Sequence, residues 1–218
     1  MNKKLGFIKL WNFVFFLVIF LGLFYLNSNA EGFLENIEES IYFVNEKPIG
    51  VVICKLGDLS YLLAFKSSFD EIKEGEIGKI INEENKFNLV IVELGKYEGK
   101  EVNYNLYFKP GLGKELFIVY FINDNIFYDK IILKGKGKEY YYFSQKNKDL
   151  KGFVFSTEGE IVGVFQNNRI LFLNKNKSLF DSLEEIKIKW FLQQLKKYFY
   201  NYISYLLEAA KKDLDKLK

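Results

Sequence analysis

The chain has 218 residues, of which 49% are hydrophobic and 18% aromatic, so it is long and apolar enough for one domain with a sizeable core. Of its 31 basic residues, Lys3, Lys4 and Lys9 precede the first acidic residue, and the other 28 balance the 28 acidic ones. A neutral surface lacks the basic field that nucleic-acid binding requires, so we expect no nucleic-acid partner. With no histidine and only one cysteine, Cys54, the chain has no internal disulfide and no usual zinc ligand set. We expect no metal and no cofactor.

The N-terminal segment, residues 1–30, has the composition of a targeting sequence. Lysines at its start precede an apolar stretch over residues 10–26, and the small residues Ser28 and Ala30 have the spacing that signal peptidase reads. We therefore predict either a signal peptide cleaved after Ala30 or an N-terminal membrane anchor. Both alternatives export the remainder to the periplasm or cell envelope, and membrane contact is expected only if residues 10–26 are retained.

Residues 31–178 are predicted to form one mainly β domain. Short apolar runs alternate with Gly, Asn, Asp and Lys, a pattern typical of an all-β barrel or sandwich. The turn at residues 157–159 ends in Gly159, which suits a tight β-turn. The predicted strands are residues 40–45, 49–55, 59–65, 87–94, 102–108, 116–122, 126–133, 139–144, 152–156, 160–166 and 169–173.

The last segment, residues 179–218, is predicted to be a long amphipathic helix. Ser182 and Glu185 have capping-box spacing, and apolar residues recur every three or four positions from Ile188 to Leu217. A helix over residues 182–218 would be ~55 Å long, so it either breaks near residues 186–189 or needs a partner at its far end. The helix therefore packs on its own domain or serves as a docking or coiled-coil element, for a protein partner or for self-association. Phe199 and Leu206 are its candidate partner-binding residues.

A family resemblance rests on residues 149–165, whose sequence is DLKGFVFSTEGEIVGVF. This stretch resembles the strand–turn–strand that carries the nucleophile in trypsin-like serine proteases of the HtrA type. That family typically reads Gly-Asn-Ser-Gly-Gly-Pro, followed by Val-Phe, a short turn, Gly-Glu and an apolar strand. In the same register, Leu150 occupies the position of the serine, Lys151 replaces a glycine and Phe153 replaces the proline.

Three further segments match the family in order, and together the four cover residues 40–166. An early hairpin starting at Gly50 is similar to the one that ends in the family's histidine, and its equivalent position is Phe65. The strand that begins with the family's aspartate corresponds to residues 87–92, where Asn88 replaces the aspartate. A third segment, residues 113–120, is similar to the strand between aspartate and serine.

The resemblance implies a trypsin-like double β-barrel in which the triad positions are Phe65, Asn88 and Leu150. Ser-His-Asp catalysis needs an imidazole to take and return the serine proton, and none of these three residues transfers protons. We therefore predict a catalytically inactive homologue that acts as a protein-binding, peptide-binding or structural subunit. The alternatives are an unrelated β-rich exported structural protein and an unrecognised hydrolase, for example one with a Ser-Lys dyad. On the strand over residues 139–144, Tyr141 and Phe143 are further candidate partner contacts.

Overall fold

Two antiparallel β-sheets and a long C-terminal helix make up the protein. The computed structural model describes residues 34–70, 78–122, 125–133, 135–136, 141–142, 150–167 and 169–215. The predictions for residues 1–30 and for Phe143 lie outside these ranges. No helix within the described ranges has a stretch long and apolar enough to cross a membrane.

The first sheet has five strands in the order β1-β2-β3-β5-β4. A short helix, α1 (residues 34–40), precedes it, and α2 (Lys66–Asp70) follows its third strand. The antiparallel neighbours β3 and β5 pair Ala64 with Val90 and Phe65 with Leu89. The strands are β1 (Ile41–Val44), β2 (Lys47–Leu56), β3 (Leu59–Phe65), β4 (Lys79–Glu84) and β5 (Leu89–Leu94).

The second sheet has seven strands in the order β7-β6-β10-β11-β12-β9-β8. Its central hairpin, β10–β11, turns at Gly159, which has a φ of 85° that favours glycine. Gly152 in β10 is also required, because a Cβ there would lie 2.3 Å from the Val119 carbonyl oxygen on β6. The strands are β6 (Glu115–Ile122), β7 (Asn125–Ile132), β8 (Gly135–Lys136), β9 (Tyr141–Tyr142), β10 (Lys151–Phe155), β11 (Ile161–Gln166) and β12 (Arg169–Phe172).

Each sheet has buried side chains on both of its faces. A central cluster joins the two sheets and includes Val51 and Phe65 from the first and Phe153 and Val164 from the second. The opposite face of the first sheet carries its own apolar cluster, and so does that of the second. The prediction of a mainly β protein with a C-terminal helix is confirmed. Among the described strands, neither sheet closes on itself.

One predicted strand was wrong, and strands were also missed. Residues 102–108 make a single bridge, between Tyr104 and Ile161, instead of a strand. Their backbone is divided between the sheets, because the Val102 amide donates to the Val52 carbonyl and the Asn105 amide to the Ile161 carbonyl, both at 2.9 Å. The described structure also has two strands that were not predicted, β4 and the two-residue β8. The apolar pattern missed β4 because it lies at a sheet edge and carries charged residues, as edge strands do.

The C-terminal helix, α3, begins earlier than predicted and does not break. It runs without interruption over Ser178–Asp215, so Ser182 lies inside the helix and cannot be its N-cap. The early start follows from packing. Leu179, Phe180 and Leu183 are buried in the central cluster, and these contacts stabilise the first turn as helix.

Candidate functional site

Two of the three triad-equivalent positions are neighbours in the structure. Phe65 is the last residue of β3 and is buried, while Asn88 directly precedes β5 and has a φ of 55°. The Lys66 amide donates a 2.5 Å hydrogen bond to the Asn88 carbonyl. Asparagine tolerates this left-handed backbone better than most residues, so Asn88 acts here as a turn residue.

The segment that contains Leu150 approaches the same end of the first sheet. Along this strand successive side chains alternate between faces. The Phe153 ring lies 5.4 Å from that of Phe65, in the central cluster, whereas Leu150 is half-buried against the second sheet's own cluster. The structure therefore brings Phe65 and Asn88 together with the backbone that follows Leu150, but the Leu150 side chain packs on the other face.

Next to Phe65, the structure places a serine beside a lysine. Lys151 donates a 2.7 Å hydrogen bond from Nζ to Ser67 Oγ, which links the start of β10 to α2. Both side chains are half-buried. A lysine ammonium donates to a hydroxyl oxygen, whereas a Ser-Lys dyad needs the neutral amine as the base for the serine proton. Sequence reasoning missed this pair, since the two residues are 84 positions apart.

A cavity of about 600 Å³ lies between β2, the segment of residues 101–107 and α3. On its wall, Tyr104 donates to Glu184 Oε1, and Lys187 Nζ lies 3.2 Å from both the Tyr104 hydroxyl and the Glu184 carboxylate. The Tyr104 ring also packs on that of Phe180, with centroids 4.7 Å apart. These contacts fix the first three turns of α3 to the domain.

Cys54 lines the same cavity, where burial raises the pKa of its thiol to about 11. An unfolded thiol has a pKa of about 8.5, so the protonated native thiol stabilises the fold below that pH and this contribution is lost as the pH rises toward 11. We expect native Cys54 to resist a disulfide reagent such as DTNB at pH 8 and to react fully in denaturant. Rapid reaction of the native protein would contradict this assignment.

The two halves of α3 carry their apolar residues on different sides of the helix. Leu179, Leu183, Ile186 and Trp190, spaced four, three and four residues apart, lie toward the body; the first two are buried and the last two half-buried. Beyond Trp190, the positions on the same side of the helix, three or four residues apart, hold only polar residues. They are Gln193 or Gln194, Lys197, Asn201, Ser204 and Glu208.

The apolar row of the distal half starts at Ile188, on the opposite side of the helix. Ile188 is two residues from both Ile186 and Trp190, and residues two apart on an α-helix point about 200° apart. Ile188 is 58% exposed, and every residue from Phe191 to Glu208 is exposed. Sequence analysis identified this apolar row, but not that it faces away from the domain, because that depends on which of the first turns the core covers.

The four candidate partner-binding residues have different outcomes. Phe199 and Leu206 lie in the exposed row, with 60% and 47% of their surfaces accessible. Tyr141 lies in β9, where it pairs with Ile170 of β12. Within the described residues, no group of three or more Cys, Asp or Glu side chains could hold a metal ion.

Comparison with known proteins gives no family assignment: no family model matches the chain, and no curated protein matches it.

Proposed function

We propose that this protein is a non-catalytic binding or structural subunit of the cell envelope, built on a degenerate trypsin-like double barrel. The observation that carries the binding role is the apolar row on the distal half of α3, which is exposed and turned away from the domain. Monomeric proteins seldom expose a continuous apolar patch larger than a few hundred Å², and larger ones mark interaction sites.

The family proposal is supported by the arrangement of the three motif segments. The three segments follow one another along the chain in the order of the family's motifs. In space, the end of β3, the start of β5 and β10 meet beside the central cluster. Each sheet has its own cluster and shares a second one with its neighbour, which suits two packed barrels. Export is proposed on the composition of residues 1–30.

The absence of catalysis is proposed on the chemistry at these positions. Phe65 and Phe153 pack ring against ring there, and a phenyl ring neither accepts nor donates the proton in acyl transfer. The chain has no histidine to replace them.

A second candidate function, a Ser-Lys hydrolase, is favoured by one observation, the hydrogen bond between Lys151 and Ser67. Such dyads exist among serine hydrolases, and they need the lysine to act as a base. An ammonium, the usual form of a lysine side chain at neutral pH, cannot serve as that base, so we place this function second.

Labelling with a fluorophosphonate probe distinguishes the two candidates. We expect the purified full chain to show no covalent adduct and no cleavage of unfolded casein, because the chain contains no histidine to activate a serine. The matched control is Ser67→Ala, which should give the same blank result as the wild type. An adduct on the wild type that Ser67→Ala and Lys151→Met both abolish would establish the hydrolase instead.

A further inference from the structure

We propose that the exposed apolar row of α3 binds the same row of a second copy of this chain, forming an intermolecular coiled coil. The proposal rests on the binding role given above and names its partner. It does not depend on the absence of catalysis.

The row has the spacing of a coiled-coil seam. From residue 188 to residue 209 the steps alternate between four and three, and every position in the row is apolar. A seven-residue repeat of this kind keeps one seam facing a helical partner along its whole length. The seam residues are Ile188, Leu192, Leu195, Phe199, Tyr202, Leu206 and Ala209.

A second row with the same repeat widens the seam on one side. Phe191, Tyr198 and Tyr205 are seven residues apart, each directly precedes a seam residue, and all three are exposed. Helices that pack in bundles carry apolar residues at two seam positions and one flanking position, as α3 does here. The partner is therefore expected to be a helix with a matching repeat, and α3 of a second copy supplies one.

The exposed area is sufficient for a dimer. A large aromatic side chain buries about 150–250 Å², so the nine half-exposed residues of the seam and the second row, from Ile188 to Leu206, together offer on the order of 1,000 Å². A stable protein–protein interface buries about 800 Å² on each partner.

The attachment of α3 leaves room for the second copy. The domain contacts α3 through Leu179, Leu183 and Ile186, on the side of the helix opposite to the seam. When two helices join along their seams, the two domains lie on the outer sides of the pair and do not collide.

The flanking charges also allow self-pairing. Beside the seam, Lys189 and Lys196 occupy the flank opposite to the aromatic row. In a parallel pair this flank meets the partner's aromatic flank, so Lys196 would lie against Phe191 of the second copy. A lysine over an aromatic face is attractive, and no like charges are brought together.

Thiol crosslinking of the full chain in cells tests the proposal. In a Cys54→Ala background, Phe199→Cys or Leu192→Cys places a thiol in the seam, and Ser204→Cys or Lys197→Cys places one on the polar side; all four positions are exposed. Two differently tagged copies are expressed together and treated with a short bismaleimide. We expect both seam variants to give an adduct of twice the monomer mass that carries both tags. The two polar-side variants should give none.

Three results would overturn self-pairing. The first is an adduct that carries one tag and a different protein, which would leave the general binding role intact. The second is equal crosslinking from seam and polar-side thiols, or none from either. The third comes from maleimide labelling of the purified seam variants with and without phosphatidylglycerol vesicles. Seam thiols that are protected only when vesicles are present would identify a lipid surface as the partner. A serine adduct with the fluorophosphonate probe would overturn the absence of catalysis without affecting self-pairing.

Discussion

Phe153→Ala is expected to lower the free energy of unfolding by about 3–5 kcal/mol, because it removes a fully buried aromatic ring and leaves a cavity. Its ring lies 5.4 Å from that of Phe65 and 6.1 Å from that of Phe121, so the substitution removes packing contacts where the two sheets join. Domains of this kind are stable by only about 5–15 kcal/mol. The variant should therefore unfold at a much lower denaturant concentration, measured by circular dichroism during a urea titration.

The matched control for this substitution is Phe199→Ala. It deletes the same side chain from a position that is 60% exposed, and measured at low protein concentration it should cost less than about 1 kcal/mol. Equal losses for the two variants would show that the distal half of α3 is part of the domain core and not an exposed extension.

The second large effect concerns the two halves of α3. Leu183→Asp should prevent stable folding, because it places an unpaired carboxylate at a position with 0% exposure and costs several kcal/mol. Leu206→Asp makes the same chemical change in the same helix at a position that is 47% exposed, and it should leave the monomer's stability within about 1 kcal/mol of the wild type.

Thermal and urea unfolding of both variants at low protein concentration checks this contrast. If Leu206→Asp unfolds the monomer as Leu183→Asp does, the distal row is ordinary core and the docking proposal fails. If Leu183→Asp folds normally, the first turns of α3 are not anchored as the structure describes.

The sequence predicted most strands because their apolar runs are buried and end at turn residues with particular backbone requirements. Gly159, for example, has a positive φ at the predicted turn. It failed where tertiary contacts override pattern: β4 is polar because it lies at an edge, and residues 102–108 divide their hydrogen bonds between two sheets. The spacing of apolar residues predicts neither an edge position in a sheet nor hydrogen bonds shared between two sheets.

The candidate site was less predictable for a related reason. The spacing of apolar residues predicts the row on α3. The side of the helix on which this row is exposed, however, is set by Leu179, Leu183 and Ile186, which pack against the core. The pair of Ser67 and Lys151 could not be found at all, since only the convergence of β3 and β10 brings it together. The motif that led to Leu150 did locate the strand that reaches Phe65.

The mass of the native assembly is the most direct test of binding through the distal face of α3. The full chain, its Leu206→Asp variant and the matched Ser204→Asp variant are compared by sedimentation; both substitutions place an aspartate at an exposed site of the same helix, on opposite sides. Wild type and Ser204→Asp should sediment as a complex larger than one chain, and Leu206→Asp as a folded monomer. If all three are folded monomers, or if Leu206→Asp assembles as the wild type does, the distal face of α3 is not the binding surface.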